Sequence, residues 1–168
     1  ALLWAAAGLG AFILMSGLLM WAFWAKHYKE PEVIGVSFSQ VQAERYGSDW
    51  KANYSAMLTD LQFKHIRIAA YWDRLEPTRG QYDFSELDWM VEQAKANGAK
   101  LTIATGQKTL RYPECYYPSW LDRNNTAEVS KQAKAMTRAV VQHFRGNDTV
   151  EAWQVENEFL LHSFGVCP

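Results

Sequence analysis

Charged side chains are missing from the first twenty-five of 168 residues, and cysteine occurs only twice, at Cys115 and Cys167. Two cysteines exclude a disulfide-dense scaffold, and the lack of any CxxC pair excludes zinc-ribbon and thioredoxin-like motifs. A surplus of positive charge is lacking as well: 17 Lys and Arg stand against 18 Asp and Glu. Nothing in that balance neutralises a run of phosphates, so no nucleic-acid partner is expected. No GxGxxG follows a strand-like segment, and neither GxxxxGKS nor GxxxxGKT occurs, which counts against nucleotide binding. The four histidines, His27, His65, His143 and His162, are scattered and form no HExxH, so neither metal nor cofactor is expected. What is present is an apolar fraction of 49% and an aromatic fraction of 14%, which excludes disorder.

The uncharged stretch, Ala1 to Ala25, has Ser16 as its only polar side chain apart from the indole N–H groups. As a helix it reaches about 37 Å, more than the roughly 30 Å hydrocarbon core of a bilayer. Trp21 and Trp24 lie beside Lys26, His27, Tyr28 and Lys29, where an aromatic and basic interface belt belongs. A cleavable signal peptide is the rival reading, but its apolar region is usually about 7–15 residues, and no clear cleavage site precedes Lys26. Residues 1–25 are therefore read as a transmembrane helix or signal anchor, 26–32 as a linker, and 33–168 as one truncated domain. The chain opens on Ala1 and closes at Pro168, and it reads as a fragment open at both ends.

Beyond Pro31 the sequence alternates between two periods. Short apolar runs at Val33–Phe38, His65–Ala70, Lys100–Thr105 and Val150–Val155 are strand-like. Between them lie three helical patterns. Asp49 to Leu61 places Trp50, Tyr54, Met57, Leu58 and Leu61 on one face, with Ser48 as N-cap. Ser85 to Asp88 resembles a capping box ahead of Leu87, Met90, Val91 and Ala94. Asn125 with Glu128 caps a third helix carrying Val129, Ala133, Met136, Val140 and Phe144. The unit of thirty-some residues is the βαβ length, and alternation of this kind implies parallel strands with right-handed crossovers. An open doubly wound sheet and the first half of a (β/α)8 barrel both fit. Four strands in about 125 residues is half of the barrel's usual 250. The twenty-residue insertion Gly106 to Asn125 is long enough to suggest a functional loop.

Chemistry in such a fold belongs at the carboxyl ends of the strands, where the fourth runs into Glu156-Asn157-Glu158. A carboxyl group beside a carboxamide suits a polyhydroxyl substrate, because the acid protonates a leaving oxygen while the amide donates to a hydroxyl. Three stretches carry a family resemblance: Leu58 to Phe84, with an Arg in a strand followed by Trp, Leu-Glu-Pro, Gly and Tyr-Asp-Phe; Leu87 to Gly98 with the strand after it; and Trp153 to Phe159. Together, over residues 33–160, they resemble the clan A glycoside hydrolases, the retaining (β/α)8 enzymes that include cellulase family 5 and the β-galactosidases of families 35 and 42. The resemblance implies an α/β fold, the first half of a TIM barrel with four parallel strands and three connecting helices behind one transmembrane helix. It implies Glu158 as general acid/base, Asn157 as the contact to the sugar 2-hydroxyl, and Arg67 as the residue orienting a nucleophilic Glu. That nucleophile belongs to a seventh strand, beyond Pro168. Phe159 stands where the family usually has Pro.

Further candidates follow from position. Gln107 ends the third strand, and Trp72 follows the second, where an aromatic face can stack on a pyranose ring. Trp120, Tyr112, Tyr116 and Tyr117 occupy the long loop. Arg67 has a structural alternative as an ion-pair partner of Glu76 or Asp73. Cys115 and Cys167 each lie about ten residues beyond a strand end, so a disulfide between them over the site is expected if the domain faces an oxidising compartment. The resulting expectation is a membrane-anchored, extracytoplasmic retaining hydrolase of β-linked oligo- or polysaccharides. The alternative is a non-catalytic glycan-binding protein on the same scaffold.

Overall fold

The computed structural model describes residues 2–27, 33–111 and 114–158, in two compact units that divide at Val33. The first unit is helix α1, Leu2–His27. Within it, Gly8–Lys26 is long and apolar enough to cross a membrane, a test that signal sequences also pass. Its side chains, among them Phe12, Leu14, Leu19 and Trp21, are exposed. The expected linker residues 28–32 lie outside the described part of the chain.

The second unit runs β1 (Gly35–Ser37), α2 (Gln40–Arg45), α3 (Trp50–Thr59), β2 (His65–Ala69), α4 (Trp72–Leu75), α5 (Ser85–Ala96), β3 (Lys100–Thr105), α6 (Thr126–His143) and β4 (Val150–Val155). The strands form one parallel sheet in the order β1-β2-β3-β4. This is the consecutive order of the first half of a (β/α)8 barrel.

Period-two alternation divides the strand side chains between two faces. Ile66, Ile68, Leu101 and Ile103 point to the helical layer and are essentially inaccessible. There they meet Tyr54 and Leu58 of α3, Met90, Val91 and Ala94 of α5, and Val129, Ala133, Met136 and Val140 of α6. The opposite face carries Ser37, Arg67, Thr102 and Ala152 in one register row. Ala69, Ala104 and Gln154 form the next row. A bulge skips Glu151 as the register passes from Leu101↔Val150 to Thr102↔Ala152.

Several local expectations need correction. Asp49, not Ser48, caps α3, its carboxylate accepting from the amides of Lys51 and Ala52. A carboxylate serves better there because its charge also complements the helix N-terminus. The helix ends at Thr59, so Leu61 is exposed rather than on the buried face. Ser85 is the first residue of α5 and closes no capping box; Asp83 accepts from its amide instead. The first strand is shorter than its apolar run, with Val33 and Ile34 exposed. Asn125 caps α6 as expected, accepting from the Glu128 amide at 3.1 Å.

Helix α3 is tied to α5 by chemistry as well as by area. The Tyr54 hydroxyl donates to the Met90 carbonyl at 3.1 Å, and burial raises the pKa of that phenol. Trp89 packs edge-on against Trp50, with ring centroids 5.3 Å apart, and lies beside Tyr54. Ile103 sits at the centre of the helical layer with no accessible surface. Ile103→Ala is expected to cost about 2–5 kcal/mol, as large-to-small core substitutions do. Urea unfolding of the full-length protein with an unchanged midpoint would contradict this packing.

Candidate active site

Parallel strands send all their carboxyl ends to one side, which collects the segments after β2, β3 and β4. The last is bound to β3 by an unusual clamp. The Glu156 carboxylate accepts from the amides of Gln107 at 2.9 Å and Lys108 at 2.7 Å. Its own amide donates to the Thr105 carbonyl at 2.8 Å, and the Asn157 amide donates to the Lys108 carbonyl at 2.8 Å. Gly106 makes room for this: it has φ +126°, and a Cβ there would lie 2.5 Å from the Glu156 carboxyl carbon. Glu156 itself has φ +62° and Glu158 φ +50°, left-handed conformations that a non-glycine residue adopts only when the surroundings enforce them.

The clamp sets Asn157 and Glu158 apart. Asn157 is buried, whereas the Glu158 side chain is 51% exposed. The buried Lys108 ammonium lies between two carboxylates, 3.2 Å from Glu114 Oε2 and 3.9 Å from Glu158 Oε2.

Arg67 points to the inner face, away from both Glu76 and Asp73. Its Nε donates to Ser37 Oγ at 3.0 Å and its Nη1 to Gln154 Oε1 at 2.9 Å. Small residues at Thr102, Ala104 and Ala152 leave the space for a guanidinium to pass over β3 toward β4. Gln154 Nε2 in turn donates to Asn157 Oδ1 at 3.3 Å, and Asn157 Nδ2 donates to Glu114 Oε1 at 3.4 Å. Arg67, Asn157 and Glu158 thus belong to one connected group. Gln107 adjoins it: its backbone holds Glu156, and its Oε1 accepts from the Tyr117 hydroxyl at 3.2 Å. Burial first, then the Glu156 carboxylate, raise the Tyr117 pKa, which keeps this phenol a donor at neutral pH.

Trp72 does not join this group, and its reading as a stacking platform is corrected. It has no accessible surface, its Nε1 donates to Glu76 Oε2 at 2.7 Å, and its ring meets Tyr117 and Trp120 edge-on. Tyr116 and Tyr117 are also buried, which leaves half-buried Trp120 as the most accessible described aromatic of the long loop. Tyr112, Phe159, His162 and Cys167 lie outside the described residues. Among those described there is no free cysteine and no cluster of three His, Cys, Asp or Glu able to hold a metal ion.

Sequence reasoning passed over Lys108, Glu114, Gln154 and the clamping role of Glu156. The available signal was a glycine at a strand end, Gly106, facing an acidic residue at the end of the neighbouring strand. Removing the clamp gives a direct measure of its worth. A buried hydrogen bond to a charged group contributes about 1.5–3 kcal/mol. Glu156 is only half-buried, so Glu156→Ala is expected to destabilise the full-length protein by about 2 kcal/mol in urea unfolding. Gly106→Ala expels the same carboxylate and strains the backbone, and is expected to lose at least as much; wild-type midpoints for both variants would contradict the clamp.

Comparison with known proteins places this geometry. The family model for glycoside hydrolase family 42, described as beta-galactosidase, matches residues 38–130. Beta-galactosidase BgaA of Clostridium cellulovorans is 25% identical over 120 residues, covering 61% of this chain and 18% of that protein. A beta-1,4-xylanase of Dictyoglomus thermophilum is 27% identical over 136 residues, 79% of this chain and 34% of that protein. The chain thus spans between about a fifth and a third of these relatives' length. Among solved structures, an exo-beta-1,4-mannosidase from Opitutaceae bacterium strain TAV5 superposes with a TM-score of 0.58 at 18% identity, covering 76% of this chain and 25% of that one. A beta-galactosidase from Halorubrum lacusprofundi gives 0.54 at 22%, covering 76% and 21%. These likenesses show the barrel fold. With the family model covering more than half of its length, the chain belongs to the glycoside hydrolase 42 β-galactosidase family.

Proposed function

We propose that this chain is the first half of the barrel of a retaining β-glycoside hydrolase, with Glu158 as general acid/base. The observation that carries the reading is the contrast at the end of β4, where Asn157 is buried and held while Glu158 reaches solvent beside it. A general acid must meet the leaving oxygen, so exposure at a strand's carboxyl end fits its task. The resemblance supplies the rest. Asn157 contacts the sugar 2-hydroxyl, Arg67 orients the nucleophile, and the nucleophilic Glu comes from a seventh strand that this sequence does not include. In the retaining mechanism the two carboxyl groups stand about 5–5.5 Å apart, and the acid becomes the base when water resolves the glycosyl intermediate. The proposed substrates are β-linked glycans, in keeping with the galactosidase and xylanase names of the relatives. The proposed location is extracytoplasmic, with the apolar helix as single-pass anchor.

Glu158→Gln keeps shape and hydrogen bonding but cannot cycle a proton. In the full-length protein it is expected to lower turnover of natural glycan by about 10²–10⁴-fold, with aryl glycosides of good leaving groups partly spared. Unchanged turnover would remove Glu158 from the role, whereas glycan binding without turnover in the wild type would leave a non-catalytic glycan-binding protein as the reading.

The proposed Cys115–Cys167 disulfide supports the same placement. Cys115 packs against the core, and closing a loop of about fifty residues is worth roughly 4 kcal/mol in the chain-entropy model. Non-reducing peptide mapping after oxidising isolation is expected to recover the linked pair; free thiols at both positions would dismiss the bridge and weaken the extracytoplasmic placement.

A further inference from the structure

The loop after β3 brings two charged side chains beside the Asn157–Glu158 pair, and it does so through a strained hairpin. Lys108 and Cys115 face each other in an antiparallel bridge, and the Thr109 amide donates to the Glu114 carbonyl at 2.9 Å. The Glu114 amide donates in turn to the Arg111 carbonyl at 2.7 Å. Arg111 at φ +74° and Glu114 at φ +67° both take left-handed conformations without being glycine. The hairpin is fastened to the segment after β2. There the Tyr71 hydroxyl donates to the Leu110 carbonyl at 3.0 Å, and the Asp73 amide to the Tyr116 carbonyl at 3.1 Å.

The Glu114 carboxylate divides its two oxygens between different partners. Oε1 accepts from Asn157 Nδ2 at 3.4 Å, while Oε2, buried and without a hydrogen bond, meets the Lys108 ammonium as an ion pair at 3.2 Å. Stability alone does not call for this arrangement, because apolar residues of similar volume in place of a buried ion pair are often neutral or stabilising. Strained backbone likewise gathers where a function fixes the geometry. The effect of the arrangement is felt at Asn157. Nδ2 carries two hydrogens, and among the described residues it donates to Glu114 alone. Arg67 and Gln154 fix which end of the amide holds the oxygen, and Glu114 fixes where the nitrogen end lies. The second N–H is left for a ligand.

We infer that Glu114 is a positioning residue for recognition of the sugar 2-hydroxyl: it holds the Asn157 amide nitrogen so that one N–H remains for the substrate. The inference rests on the hydrolase reading above, in which Asn157 makes that contact. Lys108 completes the device by engaging the other Glu114 oxygen, which leaves Oε1 to Asn157. A carboxamide in place of this carboxylate has one oxygen for two donors. The ammonium charge claims it, and the carboxamide nitrogen is then set against Asn157 Nδ2, donor against donor.

The test uses the full-length protein and the substitution Glu114→Gln, which preserves the shape of the side chain. The probes are p-nitrophenyl β-glycosides of galactose, glucose and xylose, each with its 2-deoxy analogue, and the readout is the preference for the 2-hydroxyl, taken as the ratio of kcat/KM within a pair. Glu114→Gln is expected to lower that preference about tenfold, the equivalent of one hydrogen bond. The loss is expected in kcat rather than in KM, because contacts to the 2-hydroxyl strengthen in the transition state. Adding Lys108→Met frees the carboxamide oxygen for Asn157 and is expected to restore the preference. Any effect of Lys108→Met on the adjacent Glu158 acts on both members of a pair and cancels in the ratio. An equal loss on both members, which a merely structural Glu114 would give, overturns the inference. So does an unchanged preference, or one that Lys108→Met fails to restore. The underlying reading fails separately: a wild type that hydrolyses none of the probes removes the hydrolase. The same preference is then read by calorimetry, as the ratio of affinities for each methyl β-glycoside and its 2-deoxy analogue; a ratio that Glu114→Gln lowers sustains the positioning role, and a wild type with no such preference overturns it.

Discussion

The clamp of Glu156 on the amides of Gln107 and Lys108 is the constraint on which the site depends, because it ties together the segments that leave β3 and β4. Regular strand pairing stops at Thr105 and Val155, and beyond it only the backbone bonds from the Glu156 and Asn157 amides continue the connection. The carboxylate adds two further bonds to these, with its charge strengthening both. It makes the ends of β3 and β4 one body, so that the left-handed turns at Glu156 and Glu158 are imposed by their surroundings. Gly106 is the concession: a side chain there would occupy the carboxylate's place.

A second buried carboxylate organises the other flank. Glu76 is 1% exposed and receives the Trp72 indole N–H on one oxygen and the Gly80 amide, at 2.7 Å, on the other. Its carbonyl also accepts from Trp120 Nε1 at 2.8 Å. The Leu-Glu-Pro segment thereby holds an aromatic from its own loop and one from the loop after β3. Trp72 is consumed in this work, which is the physical reason that it is unavailable to a substrate. Placement after a barrel strand did not distinguish a tryptophan that faces the ligand from one that supports the loop.

The strands were legible because their apolar runs are short and bounded, and β3 and β4 match the sequence reading from end to end. The faces of α5 and α6 were legible for the same reason of periodicity. Helices α2 and α4, with six and four residues, were not, since so few turns carry no period. Within the site, the Asn157–Glu158 pair and Arg67 stood out through family resemblance and strand position. Lys108, Glu114 and Gln154 did not, because their significance lies in contacts across 43 to 87 residues of sequence that no local pattern records. Capping was legible in type rather than in place: an Asp beside a Ser competed for the same helix start, and the charged one won.

The row of contacts from Arg67 through Gln154 and Asn157 to Glu114 has a direction. A guanidinium only donates and a carboxylate only accepts, so the two amides between them are left with a single consistent orientation. Turning either amide over would set donor against donor or acceptor against acceptor. The chemical identity of the two terminal groups, with two amides between them, therefore decides which atom of Asn157 faces which way. Either terminus alone is enough to set this orientation, so the row has two independent guarantees of its polarity.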